Sequence, residues 1–399
     1  MFSPSLATRM QRIGTEGAYD VLNQARALEA KGRSIIHCEI GEPDFPTPQY
    51  IQDAAMQALR DGYTHYATPQ GIPLLREAVA EHISQTRGVA VDPAQVLVTP
   101  GAKPVMYFLM TALLEPGDEV ILPDPAFPIY ASLVNFLGAK PVPVKLREEN
   151  EFRFDVDEFE AALSPKTRLA IFNSPHNPTG GVLPKCDVER LARILVNRDI
   201  MVLTDEIYCR ILFEGSHHSL YSEPGMPERT VLLDGFSKAY AMTGWRLGYG
   251  VMPLQLAQTL SKVLINSVSC TATFTQVAGA AALRGDQSAV AAMTAEFRRR
   301  RDFFCDRLNQ IPGFHCRRPA GAFYLFPNIR ETGMSATELQ NRLLQEVGVA
   351  CLPGTAFGAA GEGYLRFSVA NSLENLALAA DQIHAWVQKQ GLPLAVSRA

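Results

Sequence analysis

An α/β fold organised on a largely parallel sheet is what this sequence predicts, and three observations carry the prediction. From Val96 onward, short apolar runs alternate with stretches of helical periodicity, the pattern of helices packed against parallel strands. Polar motifs rich in Gly and Pro fall directly after those runs, and ligands on such sheets bind outside the carboxyl ends of the strands. The chain has 399 residues, 47% hydrophobic and 20% charged, enough to bury a large core and ordinary for a globular protein.

Taken in order, residues 17–31 carry apolar positions at helical spacing and stop at Gly32. Residues 34–40 read as a strand running into Gly41-Glu-Pro-Asp-Phe-Pro-Thr-Pro48, where three prolines exclude regular structure. Helices are expected over 49–60 and 72–85, with Tyr63-Thr-His-Tyr-Ala-Thr-Pro-Gln-Gly71 as the loop between them. Strand candidates follow at 96–99, 119–122, 140–144, 169–172, 200–204 and 231–233. Helices from Pro104, near 129–137 and over 187–197 are interleaved with them. After Ala291 a basic helix runs to Leu308, and a smaller α+β region follows with strand candidates at 322–325 and 364–368.

The chemistry centres on Leu233-Asp-Gly-Phe-Ser-Lys-Ala-Tyr-Ala-Met-Thr-Gly-Trp-Arg-Leu-Gly-Tyr249. Lys238 lies among small and apolar residues. Burial disfavours its charged form, which leaves a nucleophilic amine fit to form a Schiff base. Arg246 offers a fixed fork to an anion such as a phosphate. A lysine in an apolar context is otherwise a snorkelling surface residue, and the remaining motifs decide between the two. Pro100-Gly-Ala-Lys-Pro104 joins a strand to a helix. Gly101 permits close backbone approach, Pro104 suits the first helical position, and amides at a helix N-terminus seat phosphates. In Asn173-Ser-Pro-His-Asn-Pro-Thr-Gly-Gly181 the constrained turns hold Asn177 where it can donate to a ligand oxygen. Asp205, in Thr204-Asp-Glu-Ile-Tyr208, follows an apolar run and is costly to bury unpaired. It is either the partner of a ligand cation, such as a protonated ring nitrogen, or a helix N-cap.

In this order the Asn-Pro-Thr-Gly, Asp-Glu-Ile-Tyr and Ser-Lys-Ala-Tyr-Ala-Met-Thr-Gly-Trp-Arg-Leu-Gly runs resemble the class I aminotransferases of the pyridoxal-phosphate fold-type-I superfamily. The likeness is greatest to the aspartate-aminotransferase-like branch and runs from about Leu6 to near Gln388. It implies a large domain with a mostly parallel seven-stranded sheet plus a smaller α+β domain. The implied division is 1–45 (N-terminal arm and part of the small domain), 46–290 (large cofactor-binding domain) and 291–399 (small domain). The implied cofactor is pyridoxal 5'-phosphate, held by Lys238 as a Schiff base, with Lys238 then serving as acid and base. Asp205 matches the carboxylate on the pyridine nitrogen, and Asn177 and Tyr208 match the groups on the phenolic oxygen. Gly101, Ala102 and Lys103 match the phosphate cradle, with Ser237 and Arg246 as further phosphate ligands; Gly235 stands where some relatives carry another serine. Phe127 falls where an aromatic stacks on the ring, a position where tyrosine or tryptophan is commoner.

For substrate, the resemblance implies Arg366, in Tyr-Leu-Arg-Phe-Ser368, as the clamp on the α-carboxylate, with Gly41 and Asn177 beside it. Tyr66 matches a tyrosine that reaches the partner subunit's phosphate, which implies a homodimer with shared sites. Lys103 matches a lysine that meets the distal carboxylate of aspartate or glutamate; a solvated lysine is the other reading. The implied reaction exchanges an amino group between an L-amino acid and a 2-oxo acid. The alternative on the same apparatus diverts the carbanion to β- or γ-elimination or to carbon–carbon bond formation, and few residues separate the two.

Composition removes other classes. A net charge of −4 leaves no footprint for nucleic acid, so Arg298-Arg-Arg-Arg301 reads as a solvated helix face. No long apolar span suggests a membrane helix or a signal peptide. Seven scattered cysteines without a Cys-x-x-Cys pair fit a reducing, cytoplasmic setting and no metal site.

Overall fold

The computed structural model describes residues 5–390. Seven strands form one sheet: β1 (Val96–Thr99), β2 (Glu119–Asp124), β3 (Lys140–Lys145), β4 (Thr167–Asn173), β5 (Met201–Asp205), β6 (Thr230–Gly235) and β7 (Gly248–Val251). Their order across the sheet is β1-β7-β6-β5-β4-β2-β3. All neighbours are parallel except β7, which runs antiparallel to both β1 and β6. The expected mostly parallel, seven-stranded sheet is present. Strand β7 was not among the sequence candidates, because the two glycines of Gly-Tyr-Gly-Val weaken the strand signal.

Alternation along the strands explains how both faces are covered. Leu169 and Ile171 of β4 point into a core with Leu203, Val231 and Leu233, roofed by the helices Lys103–Leu113, Ile129–Leu137 and Leu254–Val268. Ala170 and Phe172 point the other way, against Val202 and the helix Lys185–Leu195. On the β1 side, Val96, Val98 and Tyr249 pack under Gln49–Arg60, Pro73–Arg87 and Thr273–Arg284. Two-sided burial is what makes these strands read as short continuous apolar runs.

The C-terminal region has its own core, in which the long helices Ser288–Leu308 and Leu373–Lys389 pack on a three-stranded antiparallel sheet. That sheet is made of Tyr324–Leu325, Leu352–Pro353 and Leu365–Ser368, with Leu365–Ser368 in the middle. The expected strand at 34–40 is shorter: only Ile36–His37 pairs, in parallel with Val349–Ala350. Beyond Cys38 the chain leaves the ladder and crosses towards Lys238. The arginine run also differs from expectation. Arg298 and Arg299 are exposed, but Arg300 and Arg301 are buried. Arg300 pairs with Asp44 at 2.7 Å and Glu296 at 2.9 Å, and Arg301 with Glu214 at 2.9 Å. A helix side chain reads as solvated until acids from other segments are brought onto it.

Candidate active site

The carboxyl ends of β4, β5 and β6 lie side by side, with Asn173 opposite Asp205 and Asp205 opposite Leu233. Above them opens a cavity of about 470 Å³ lined from both regions of the chain. Gly41, Ala102, Lys103, Phe127, Asn177, Asp205, Tyr208, Ser237, Lys238, Arg246 and Arg366 all line it. Gly101 adjoins it. Its φ of +88° is open to glycine, and a Cβ there would run into the Arg246 guanidinium. Tyr66 stands apart: it is 90% exposed and is not in the cavity wall.

Lys238 follows β6 and donates its Nζ hydrogen to the Gly41 carbonyl. Burial pushes its ammonium down to about 8; Arg366 acts in the same direction and Glu42 opposes it. A fraction of this amine is therefore neutral near neutral pH. Across the cavity Asp205 is buried, and its Oδ2 accepts the Tyr130 hydroxyl at 2.5 Å. Its Oδ1 accepts the Ile207 N–H at 3.2 Å, so the turn-capping reading holds for one oxygen, although no helix follows. Burial raises its carboxyl to about 6, against the pull of those two donors. Among the described residues no cation pairs with it directly, and Lys238 acts on it only as a more distant charge.

Asn177 is fixed by its loop. Its N–H donates to Asn173 Oδ1 at 2.9 Å, while Asn173 Nδ2 donates to the Asp205 carbonyl at 3.0 Å. Arg366, in the middle strand of the small sheet, donates from Nη1 to Asn177 Oδ1 at 3.2 Å and from Nη2 to the Glu39 carbonyl. Its guanidinium lies 4.4 Å from the Tyr324 ring centre and 4.9 Å from that of Phe357. Arg366 Nε is buried with no hydrogen-bond partner among the described residues. Tyr208 shares a 2.7 Å hydrogen bond with Tyr324. Arg246 holds a left-handed backbone (φ +52°) and donates to the Thr243 carbonyl at 2.7 Å, which aims its fork under Gly101.

A buried amine, an uncompensated buried acid, an anion seat and a buried guanidinium thus face one space. Residues 33–383 match the family of aminotransferase class I and II. The chain is 41% identical over 392 residues to an aromatic-amino-acid aminotransferase of Thermococcus litoralis, covering 97% of this chain and all of that one. It is 43% identical over 369 residues to an aspartate aminotransferase of Pyrococcus abyssi, covering 92% of this chain and 95% of that one. Among solved structures, the aspartate aminotransferase of Thermus thermophilus with maleate superposes with a TM-score of 0.91 at 37% identity, covering 96% of this chain and 100% of that one. The chain belongs to the class I and II aminotransferase family.

It is a transaminase, built on the fold-type-I architecture of pyridoxal-phosphate enzymes. Around this aminotransferase cavity stand residues that the motifs did not single out. Tyr130 ends the same run as Phe127 and meets it edge-on, with ring centres 5.6 Å apart. Tyr324 links Tyr208 to Arg366, and only its place in a strand candidate was readable. The Lys103 ammonium is paired with Glu16 and lies 5.3 Å from the Phe127 ring centre, contacts that neither expected reading of this lysine included. Among the described residues no cluster of His, Cys, Asp or Glu could hold a metal, and no helix is long and apolar enough to cross a membrane.

Proposed function

We propose that this aminotransferase carries pyridoxal 5'-phosphate on Lys238 and uses it to exchange the amino group between an L-amino acid and a 2-oxo acid. The observation that carries the reading is Asp205, a buried carboxylate raised to about 6 and lacking a cation, facing a buried amine across the cavity. The donor set fits the cofactor. The Gly101 seat, which a Cβ would fill, together with Ala102, Lys103, Ser237 and Arg246, suits its phosphate. Asp205 suits its ring nitrogen, and Phe127 suits a ring face. When bound, the cofactor supplies an electron sink for the negative charge that forms at the substrate α-carbon.

The protein's own groups do the rest. Arg366, whose guanidinium lines the cavity, takes the substrate α-carboxylate. With Asn177 Oδ1 turned to Arg366, the amide Nδ2 is left to join the Tyr208 hydroxyl in donating to the cofactor's phenolic oxygen. With the cofactor bound, Lys238 Nζ would take the α-proton and, as the conjugate acid, return it to the cofactor's C4′ carbon, two bonds away. Asp205 would keep the ring nitrogen protonated, with Tyr130 holding the carboxylate's orientation.

A homodimer is part of the proposal: Tyr66 is exposed, as are the large apolar residues Met56, Leu59 and Tyr63 that precede it in the chain, which suits a second copy whose phosphate seat Tyr66 would reach. The divisions near residues 45 and 290 are supported by Phe45 and Met293, which pack in one core, against Ile51 and Val290, which pack in another. Seven free cysteines suit the cytoplasm.

Borohydride reduction and peptide mapping test the centre of this reading: the pyridoxyl label is expected on Lys238, and a label on any other lysine overturns it. Lys238→Ala is expected to lose transamination by about 10³-fold or more with the fold intact. Keto acid should form in stoichiometric amount with pyridoxamine phosphate; released ammonia would favour elimination instead.

A further inference from the structure

We propose that Glu16 sets the substrate class of this site: by holding the Lys103 ammonium it closes the side-chain end of the cavity to a second carboxylate and directs the enzyme to amino acids with uncharged side chains. The proposal rests on the transaminase reading above and adds to it a residue that the motifs did not contain.

Glu16 occupies the N-cap position of the helix Gly17–Glu29, where a side chain ordinarily accepts from the helix's own amides. It accepts none there. Its carboxylate turns instead to Lys103, 87 residues away, and both line the cavity. Lys103 opens the helix Lys103–Leu113, the end of a helix dipole that disfavours a cation; a fixed carboxylate offsets this. Glu16 is itself held in place. Two residues before it, the Gly14 N–H donates to Ser132 Oγ at 2.8 Å, and Arg12 Nε donates to the Asn135 carbonyl at 2.8 Å.

The charge inventory of the cavity completes the argument. Its lining cations are Lys103, Lys238, Arg246 and Arg366. Arg366 is buried for an α-carboxylate, Arg246 stands under the anion seat and Lys238 is the reacting amine. Lys103 is the remaining cation that could meet a distal carboxylate, and Glu16 already occupies it. A dicarboxylic substrate has to displace Glu16 and then share the space with it. The neighbouring wall is apolar, with Ala18, Leu352, Ala356 and Phe357 packed together, which suits an aliphatic or aromatic side chain.

Calorimetric titration of the holoenzyme with glutarate and with 3-phenylpropanoate tests this without turnover. Wild type is expected to bind 3-phenylpropanoate the more tightly. Glu16→Gln keeps the shape of the side chain and is expected to tighten glutarate by about three- to fivefold, the upper part of the range set by one partly exposed ion pair. Its affinity for 3-phenylpropanoate should stay within about twofold. Adding Lys103→Ser should abolish the gain. Unchanged or weakened glutarate binding in Glu16→Gln, or a gain that survives Lys103→Ser, overturns the proposal. Absence of keto acid from wild type would instead count against the transaminase mechanism, and the glutarate ratio would still decide the role of Glu16.

Discussion

Asp205 and Glu206 are consecutive, both buried, and electrostatically opposite. Glu206 turns away from the cavity into a ready-made cationic pocket. Arg87 meets its Oε2 at 2.7 Å and His217 meets the same oxygen at 3.0 Å. Ser219 and Thr204 donate to its Oε1. Burial alone would raise its pKa, but Arg87 and His217 outweigh that and hold it below the usual carboxylate range. Asp205, one residue earlier and on the other face, receives two neutral donors and no cation, and burial raises it to about 6. One acid is completed by the fold and the other is left for a ligand to complete. Asp234 shows that a raised carboxyl is not enough by itself. It too is lifted by burial to about 6, but it faces Tyr249 and Cys209 in the interior and does not line this cavity. Access to the cavity is what separates Asp205 from Asp234.

Substitutions on the two sides of this pair should therefore fail differently. Asp205→Asn is expected to lower kcat/KM by about 10³-fold and to leave the melting temperature within a few degrees, because Asn Oδ1 still accepts the Ile207 N–H and its Nδ2 can donate to the Tyr130 hydroxyl oxygen. A large loss of stability instead would place Asp205 with Glu206 as a structural acid. Arg87→Met should do the reverse, costing about 3–5 kcal/mol of stability by stranding the Glu206 charge, as read by urea unfolding. Adding Glu206→Gln should recover part of it. The smallest effect is expected at a third acid–base pair, where His37 lies 2.7 Å from Glu39 and 3.1 Å from Glu29. The Glu39 hydrogen bond raises His37 to about 9, with burial opposing. A raised histidine stabilises fully below its unfolded value near 6.5 and loses that contribution as pH rises through 9. His37→Gln should thus cost about 1 kcal/mol or less at pH 6, since the ring is partly exposed, and nothing above pH 10. A cost that persists at high pH would point to packing rather than charge.

Much of the site was legible because its parts are short and local. Lys238, Asp205 and Asn177 each follow an apolar strand directly, and the sheet brings those strand ends together whatever the surrounding detail. What escaped were pairings between distant segments. Tyr130 and Asp205 are 75 residues apart, Tyr208 and Tyr324 are 116 apart, and Arg87 and Glu206 are 119 apart. Nothing in the local pattern around any of these residues names its partner. Arg300 and Arg301 were misread for the same reason, since a helical arginine is solvated or buried according to which acids other segments deliver.

By itself, then, the sequence determined six of the seven strands of the sheet and the order of the motifs that follow them, because hydrophobic periodicity and motif chemistry act over a few residues. Only the tertiary structure decided which charges are already balanced: Glu206 by Arg87, Lys103 by Glu16, and Asp205 by neither. Charge balance in a low-dielectric interior depends on distances of a few ångströms between groups that the chain keeps far apart, and folding alone fixes those distances.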